Sequence, residues 1–210
     1  MVNQSILSLL LLPALALGAP HVQRREYKPS ITTTVATSPV ATATPSNTPS
    51  AKAGQVFFKN NCSYDVTVEP IPGPGCSAKS GSTVAAGSTW ADQLTDCAAG
   101  NTALKVYKEG STKPMQFEYG LQGGNVWYDM SFINCLAAGY DFSSCAGTGW
   151  SMSSMSNCKA YACSSGEFCC TQGYCDPDGS AVSPAPNCAC GANEGYEESE
   201  LGITIELCTS

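Results

Sequence analysis

Basic charge is the scarcest resource in this chain. Charged residues make up only 13% of its 210 positions, about half the usual share. From Gln55 to the end there is no arginine, and six lysines face sixteen aspartates and glutamates. A nucleic-acid or anionic-membrane surface needs a basic face, and this region cannot build one. The single histidine, His21, lies near the N-terminus, so Ser-His-Asp and Cys-His catalysis and His-ligated zinc are excluded from the remainder. Apart from Ile6–Leu17 there is no long apolar run. That run is too short to cross a bilayer and ends in Ala16-Leu17-Gly18, a small-x-small cleavage pattern. Residues 1–18 therefore read as a signal peptide. The C-terminal Leu207-Cys208-Thr209-Ser210 carries no apolar tail of the kind a GPI anchor requires.

What the chain does have is cysteine, thirteen in all. Together with a signal peptide, that count predicts export and disulfides rather than thiolate metal ligation. No metal and no cofactor is expected. Adjacent Cys169 and Cys170 must take different partners, and an odd count leaves one thiol free or bridged to another molecule. Arg24-Arg25 offers a dibasic processing site, which makes 19–25 a propeptide and Glu26 the mature N-terminus. Residues 26–54 are rich in Thr, Ser, Pro and Ala; with so little apolar surface they are expected to stay extended as an O-glycosylated stalk. The sequon Asn61-Cys62-Ser63, with cysteine at its centre, is a poor N-glycan acceptor.

From 55 to 210 the pattern is β. Tyr64–Glu69 alternates apolar and polar residues and is expected to stop at Pro70, where Pro72, Gly73, Pro74 and Gly75 follow. Thr83–Ala86, Ala103–Lys108 and Ile203–Leu207 are further strands. Short strands separated by Gly, Pro and Ser predict an all-β sandwich or barrel. The sharpest local signal is Met115–Leu121, then Gln122-Gly123-Gly124-Asn125, then Val126–Phe132. A Gly-Gly pair between alternating strands calls for a primed two-residue turn. The implied register turns Met115, Phe117, Tyr119, Leu121, Val126, Tyr128, Met130 and Phe132 to the core. It sets Glu118 opposite Asp129 on the other face, with Trp127 beside them.

Two carboxylates opposed across a hairpin repel each other. Such a pair can share a proton, as acid/base chemistry on a glycosidic bond requires, and Trp127 is a flat surface suited to a sugar ring. The alternative is a solvent face where the repulsion is screened and a loop covers Trp127. Asp176-Pro177-Asp178-Gly179 lacks enough oxygen ligands at calcium-loop spacing and reads as a turn. Glu194, Glu197, Glu198 and Glu200 read as a solvated acidic loop.

These residues fall in an order that resembles the thaumatin-like proteins. Val56–Val66, with Asn60-Asn61-Cys62, is similar to the first strand pair of that family. Ala86–Trp90 is similar to its Gly-then-Trp marker. Glu118–Leu121 and Tyr128–Ser131 resemble its Glu-Phe-x-Leu and Tyr-Asp-Val-Ser segments, and Phe168–Thr171 and Ile203–Cys208 its Tyr-Cys-Cys and terminal strand-Cys elements. The resemblance implies a disulfide-rich β-sandwich with a cysteine-rich loop region, in the small secreted fungal branch. It also implies a Cys62–Cys208 bridge tying the first strand to the last. The family's acidic cleft is one Arg, one Glu and three Asp. Glu118 and Asp129 match two of these, Val126 stands where another Asp would be, and the arginine has no counterpart.

The function implied is a non-catalytic, wall-associated monomer that binds polysaccharide, β-1,3-glucan foremost. Glu118, Trp127 and Asp129 would form the contact patch, and the biological role would be wall remodelling such as at spore germination. A weak endo-β-1,3-glucanase, with Glu118 as acid and Asp129 as nucleophile or base, is one alternative. A surface adhesin or effector with host surface proteins as partners is the other.

Overall fold

The computed structural model describes residues 52–176 and 187–210. The signal peptide, Arg24-Arg25, the stalk as far as Ala51, and the turn at Asp178 lie outside the described residues. Eleven strands make up nearly all the regular structure: β1 (Gln55–Asn60), β2 (Val66–Ile71), β3 (Ser82–Val84), β4 (Thr89–Gln93), β5 (Thr102–Lys108), β6 (Met115–Gln122), β7 (Asn125–Ser131), β8 (Trp150–Ser153), β9 (Tyr161–Cys163), β10 (Cys188–Cys190) and β11 (Ile203–Leu207). Their order is β4-β1-β11-β8-β9 in a five-stranded sheet and β10-β7-β6-β5-β2-β3 in a six-stranded one. Only the β1–β11 pairing is parallel; every other named pairing is antiparallel.

The sheets meet through aromatic edges. Phe58 on β1 lies 6.4 Å from Phe117 on β6, and Phe117 lies 6.3 Å from Trp150 on β8. Tyr128 on β7 reaches Tyr161 on β9 at 6.3 Å. All are buried, and edge-to-face contacts of this kind add about 1 kcal/mol each to the gain from burial. The expected all-β, disulfide-rich sandwich is what the structure shows.

The β6–β7 hairpin has the register that its Gly-Gly turn implies. Phe117 faces Met130, Glu118 faces Asp129, and Gln122 faces Asn125. Gly123 and Gly124 take φ of 60° and 75°, both in the left-handed region where a side chain is disfavoured. The apolar row from Met115 to Phe132 is buried, except for Leu121, which is partly buried.

Two expectations need correction. β2 does not stop at Pro70: it continues to Ile71, and Pro70 pairs with Leu104 of β5. The proline is tolerated because β3 accompanies β2 only from Val66 to Val68, so beyond that point one edge of β2 needs no N–H donor. Nor do β1 and β2 pair with each other. The chain leaves the five-stranded sheet at Asn60 and joins the six-stranded one at Val66.

Asn60 makes that crossing possible. Its fully buried carboxamide donates to the carbonyls of Tyr64 (2.9 Å), Val84 (3.0 Å) and Ala85 (3.3 Å), and its Oδ1 accepts from the Cys62 N–H at 3.0 Å. One side chain thus satisfies backbone groups that the crossing would otherwise leave unpaired inside the protein.

All thirteen cysteines lie among the described residues. Cys62 is bonded to Cys208, closing a sequence separation of 146 residues. Chain-entropy arguments put the worth of such a closure near 5 kcal/mol. Cys76–Cys97 and Cys135–Cys145 staple loops. Cys158–Cys190, Cys163–Cys169 and Cys170–Cys175 hold the cysteine-rich region together, so Cys169 and Cys170 do take different partners. Cys188 is free and buried. Six disulfides place folding in an oxidising compartment. Among the described residues no helix is long and apolar enough to cross a membrane.

Candidate functional site

Strand alternation puts Glu118, Trp127 and Asp129 on the face of the six-stranded sheet that points away from the core. On that face each row runs across neighbouring strands. Trp127 sits between Gly120 of β6 and Ala189 of β10, so its neighbours along the row are small. Asn101 occupies the space over Gly120: a Cβ built there would lie 2.5 Å from the Asn101 Oδ1. Trp127 is half-buried and so is Glu118.

Asp129 behaves differently. It is only 5% exposed, so it is neither on a screened solvent face nor able to touch a ligand as part of an exposed patch. The cause is tertiary. β10 accompanies β7 only from Val126 to Tyr128, and beyond it the segment around Tyr174 takes over as the neighbouring edge. Tyr174 N–H donates to the Met130 carbonyl at 2.8 Å, and its own carbonyl accepts from Phe132 N–H at 2.9 Å. This segment of the cysteine-rich region closes over the position next to Asp129.

Burial and the neighbouring Glu118 push the Asp129 carboxyl up to about 8. At neutral pH the pair therefore keeps one proton between its two carboxyls. The Asp129 Oδ1 is buried without a partner. Burial, and then the charges of Asp129 and Glu118, also raise the Tyr174 hydroxyl. Among the described residues neither acid has a basic partner; the ion pair found there is Lys79–Asp92 at 2.5 Å.

A pair holding one proton between two carboxyls can present one diffuse negative charge. It is poorly built for glycosidic chemistry. Hydrolysis needs the carboxyls to flank a glycosidic bond with the sugar between them, whereas these two stand directly opposite each other across the hairpin and Asp129 is buried. The Cys163, Glu167 and Cys169 side chains also gather closely, but both sulfurs are consumed in a disulfide.

Glu194 and Glu200 are less free than a solvated loop implies. Glu194 accepts from Gly191 N–H and Glu200 from Glu197 N–H, each at 2.8 Å, closing two single 3₁₀ turns. Sequence reasoning also missed the concave surface. A cleft of about 520 Å³ opens beside Tyr64, Tyr140 and Phe168, and it contains none of Glu118, Trp127 and Asp129. The available signal was Gly139-Tyr140-Asp141 inside the short Cys135–Cys145 loop, where a disulfide holds an aromatic tip.

A family model described as Blastomyces yeast-phase-specific protein matches residues 43–193. No curated protein matches the chain. Among solved structures, the chain is similar to the protein elicitor MoHrip2 from Magnaporthe oryzae, with 20% identity and a TM-score of 0.54 over 75% of this chain and 100% of that one. It is also similar to the thaumatin-like xylanase inhibitor TLXI, with 14% identity and a TM-score of 0.46 over 73% of this chain and 99% of the inhibitor. At 20% identity the likeness to the elicitor concerns the fold alone.

Proposed function

The chain belongs to the Blastomyces yeast-phase-specific protein family, whose model spans residues 43–193, and we propose that it is a secreted, non-catalytic module that binds cell-wall polysaccharide, β-1,3-glucan foremost. Its role would be wall remodelling such as at spore germination. The observation that carries the reading is the indole of Trp127, flanked by Gly120 and Ala189 and set beside a carboxyl pair that shares its proton. A flat ring with small neighbours can stack on a sugar face, while the Glu118 carboxylate accepts hydrogen bonds from ring hydroxyls. Buried Asp129 contributes by holding Glu118 in place rather than by contact. The surplus of acidic side chains suits a neutral glycan over an anionic one.

The test is retention of the secreted chain on insoluble β-1,3-glucan, with reducing-end release followed in the same tubes. Binding without sugar release is expected, and Trp127→Ala should weaken retention about tenfold or more, the scale at which a central aromatic anchor acts. Unchanged retention in that variant would remove Trp127 from the binding surface. Sugar release abolished by Glu118→Gln would establish the glucanase reading instead. A chain that neither binds glucan nor releases sugar, yet captures host surface proteins, would be an adhesin or effector.

A further inference from the structure

Four large apolar side chains are exposed among the described residues: Tyr64, Ile71, Ile133 and Tyr140. Two of them, Tyr64 and Tyr140, line the same 520 Å³ cleft. Tyr140 is 62% exposed and has a φ of 60°, a left-handed conformation that costs a non-glycine residue about 1 kcal/mol. It stands at the tip of a tight loop closed by hydrogen bonds between Ala137 and Asp141, with Cys135–Cys145 bonded behind it. The turn accounts for the positive φ, but the ring at its tip is left mostly exposed, which packing does not explain.

The remainder of the cleft mixes polar and apolar groups, several of them tied down. The Tyr64 hydroxyl donates to the Ala146 carbonyl at 2.6 Å, which fixes its ring. Gly147 forms part of the floor; a Cβ there would lie 2.6 Å from Cys208 Sγ and 3.2 Å from the Tyr64 hydroxyl. Phe168 stacks on Phe142 with 4.2 Å between centroids and backs one wall. Lys108 bonds the Ser143 carbonyl, and Asp141 accepts from Ser143 N–H at 2.9 Å, which holds its carboxyl below the ordinary range and therefore charged. Tyr64 also lines a second hollow of about 470 Å³, together with Asp65, Thr67, Thr83 and Glu109.

We infer that these two hollows form one groove for a linear neutral oligosaccharide, with Tyr140 and Tyr64 as stacking platforms. The inference rests on the reading of the chain as a polysaccharide binder and adds a second contact site, distinct from Trp127. Three carboxylates, Asp65, Glu109 and Asp141, border the groove against Lys108, whose ammonium is already engaged. That balance repels anions and supplies acceptors for sugar hydroxyls. Each hollow falls within the size range of small-ligand clefts.

The experiment is an amide and indole chemical-shift titration of the full secreted chain with soluble hexasaccharides of β-1,3-glucose, β-1,4-glucose, β-1,4-xylose, β-1,4-mannose and β-1,4-N-acetylglucosamine. At least one should shift Tyr64, Tyr140 and Thr148, which also lines the cleft. Tyr140→Gly should reduce that sugar's affinity tenfold or more while leaving the unfolding midpoint equal or higher, because glycine relieves the positive φ. Ile133→Ala, an apolar position outside the groove, should leave that affinity unchanged. Shifts confined to the Trp127 indole and β7 would overturn the groove while leaving the polysaccharide reading intact. Groove shifts in a chain that insoluble glucan does not retain would uphold the groove and sink the earlier site. Full affinity in Tyr140→Gly, no shift with any hexasaccharide, or groove shifts produced only by extended peptides would each overturn the inference.

Discussion

Replacing Asp129 with asparagine isolates the buried carboxyl pair. In the folded chain burial, and then the charge and hydrogen bond of Glu118, keep the Asp129 proton in place up to about 8, against an ordinary value of 3.8. Between those two values the folded chain holds one proton that the unfolded chain has released. Stability therefore falls as pH rises through this window, by about 1.4 kcal/mol per pH unit at the steepest. Below the window both states are protonated and the contribution is fully present; above it both are ionised and the slope flattens. A carboxamide at this position can donate to Glu118 but has no proton to lose. Asp129→Asn should thus match the parent in acid and become the more stable chain by a few kcal/mol near the upper end of the window. Guanidinium unfolding of both chains without reductant, across the window, measures this difference, and an unchanged m-value confirms that the unfolded state is comparable. Subtracting one chain from the other cancels the acids distant from this pair. A difference that does not vary with pH, or that grows toward acid, would refute the shared-proton account.

Asn60→Ala removes the three carbonyl contacts and the acceptor for Cys62 N–H at the crossing between sheets. It should cost about 3 kcal/mol in the same unfolding assay. Gly147→Ala forces a methyl to within 2.6 Å of Cys208 Sγ and should cost about 2 kcal/mol, with the Cys62–Cys208 bridge still formed on peptide mapping. Thiol titration of the native chain should find almost no reactive sulfur. In denaturant without reductant it should find one per chain, alkylated at Cys188.

Much of the architecture was legible from local chemistry. Gly123-Gly124 between alternating runs admits one turn geometry, and a period of two then assigns every side chain from Met115 to Phe132 to a face. That was enough to oppose Glu118 to Asp129 and place Trp127 beside them. The cysteine count together with the short turns likewise led to a disulfide-rich, all-β chain. Alternation names a face, but it does not say what lies over that face. Asp129 is buried because the segment around Tyr174, more than forty residues on, takes the edge that β10 leaves free. The same limit applies to Pro70, which looks like a strand stop until β3 is seen to end before it. It applies to Asn60, whose partners come from two separate segments. It applies to the groove, where Tyr64 and Tyr140 lie far apart in the chain and meet around the Cys62–Cys208 and Cys135–Cys145 bridges. Which side chains face the same way is a property of neighbouring residues and could be read along the chain. Burial, proton affinity and concavity depend on which distant segments close over them, and only the tertiary structure decided that.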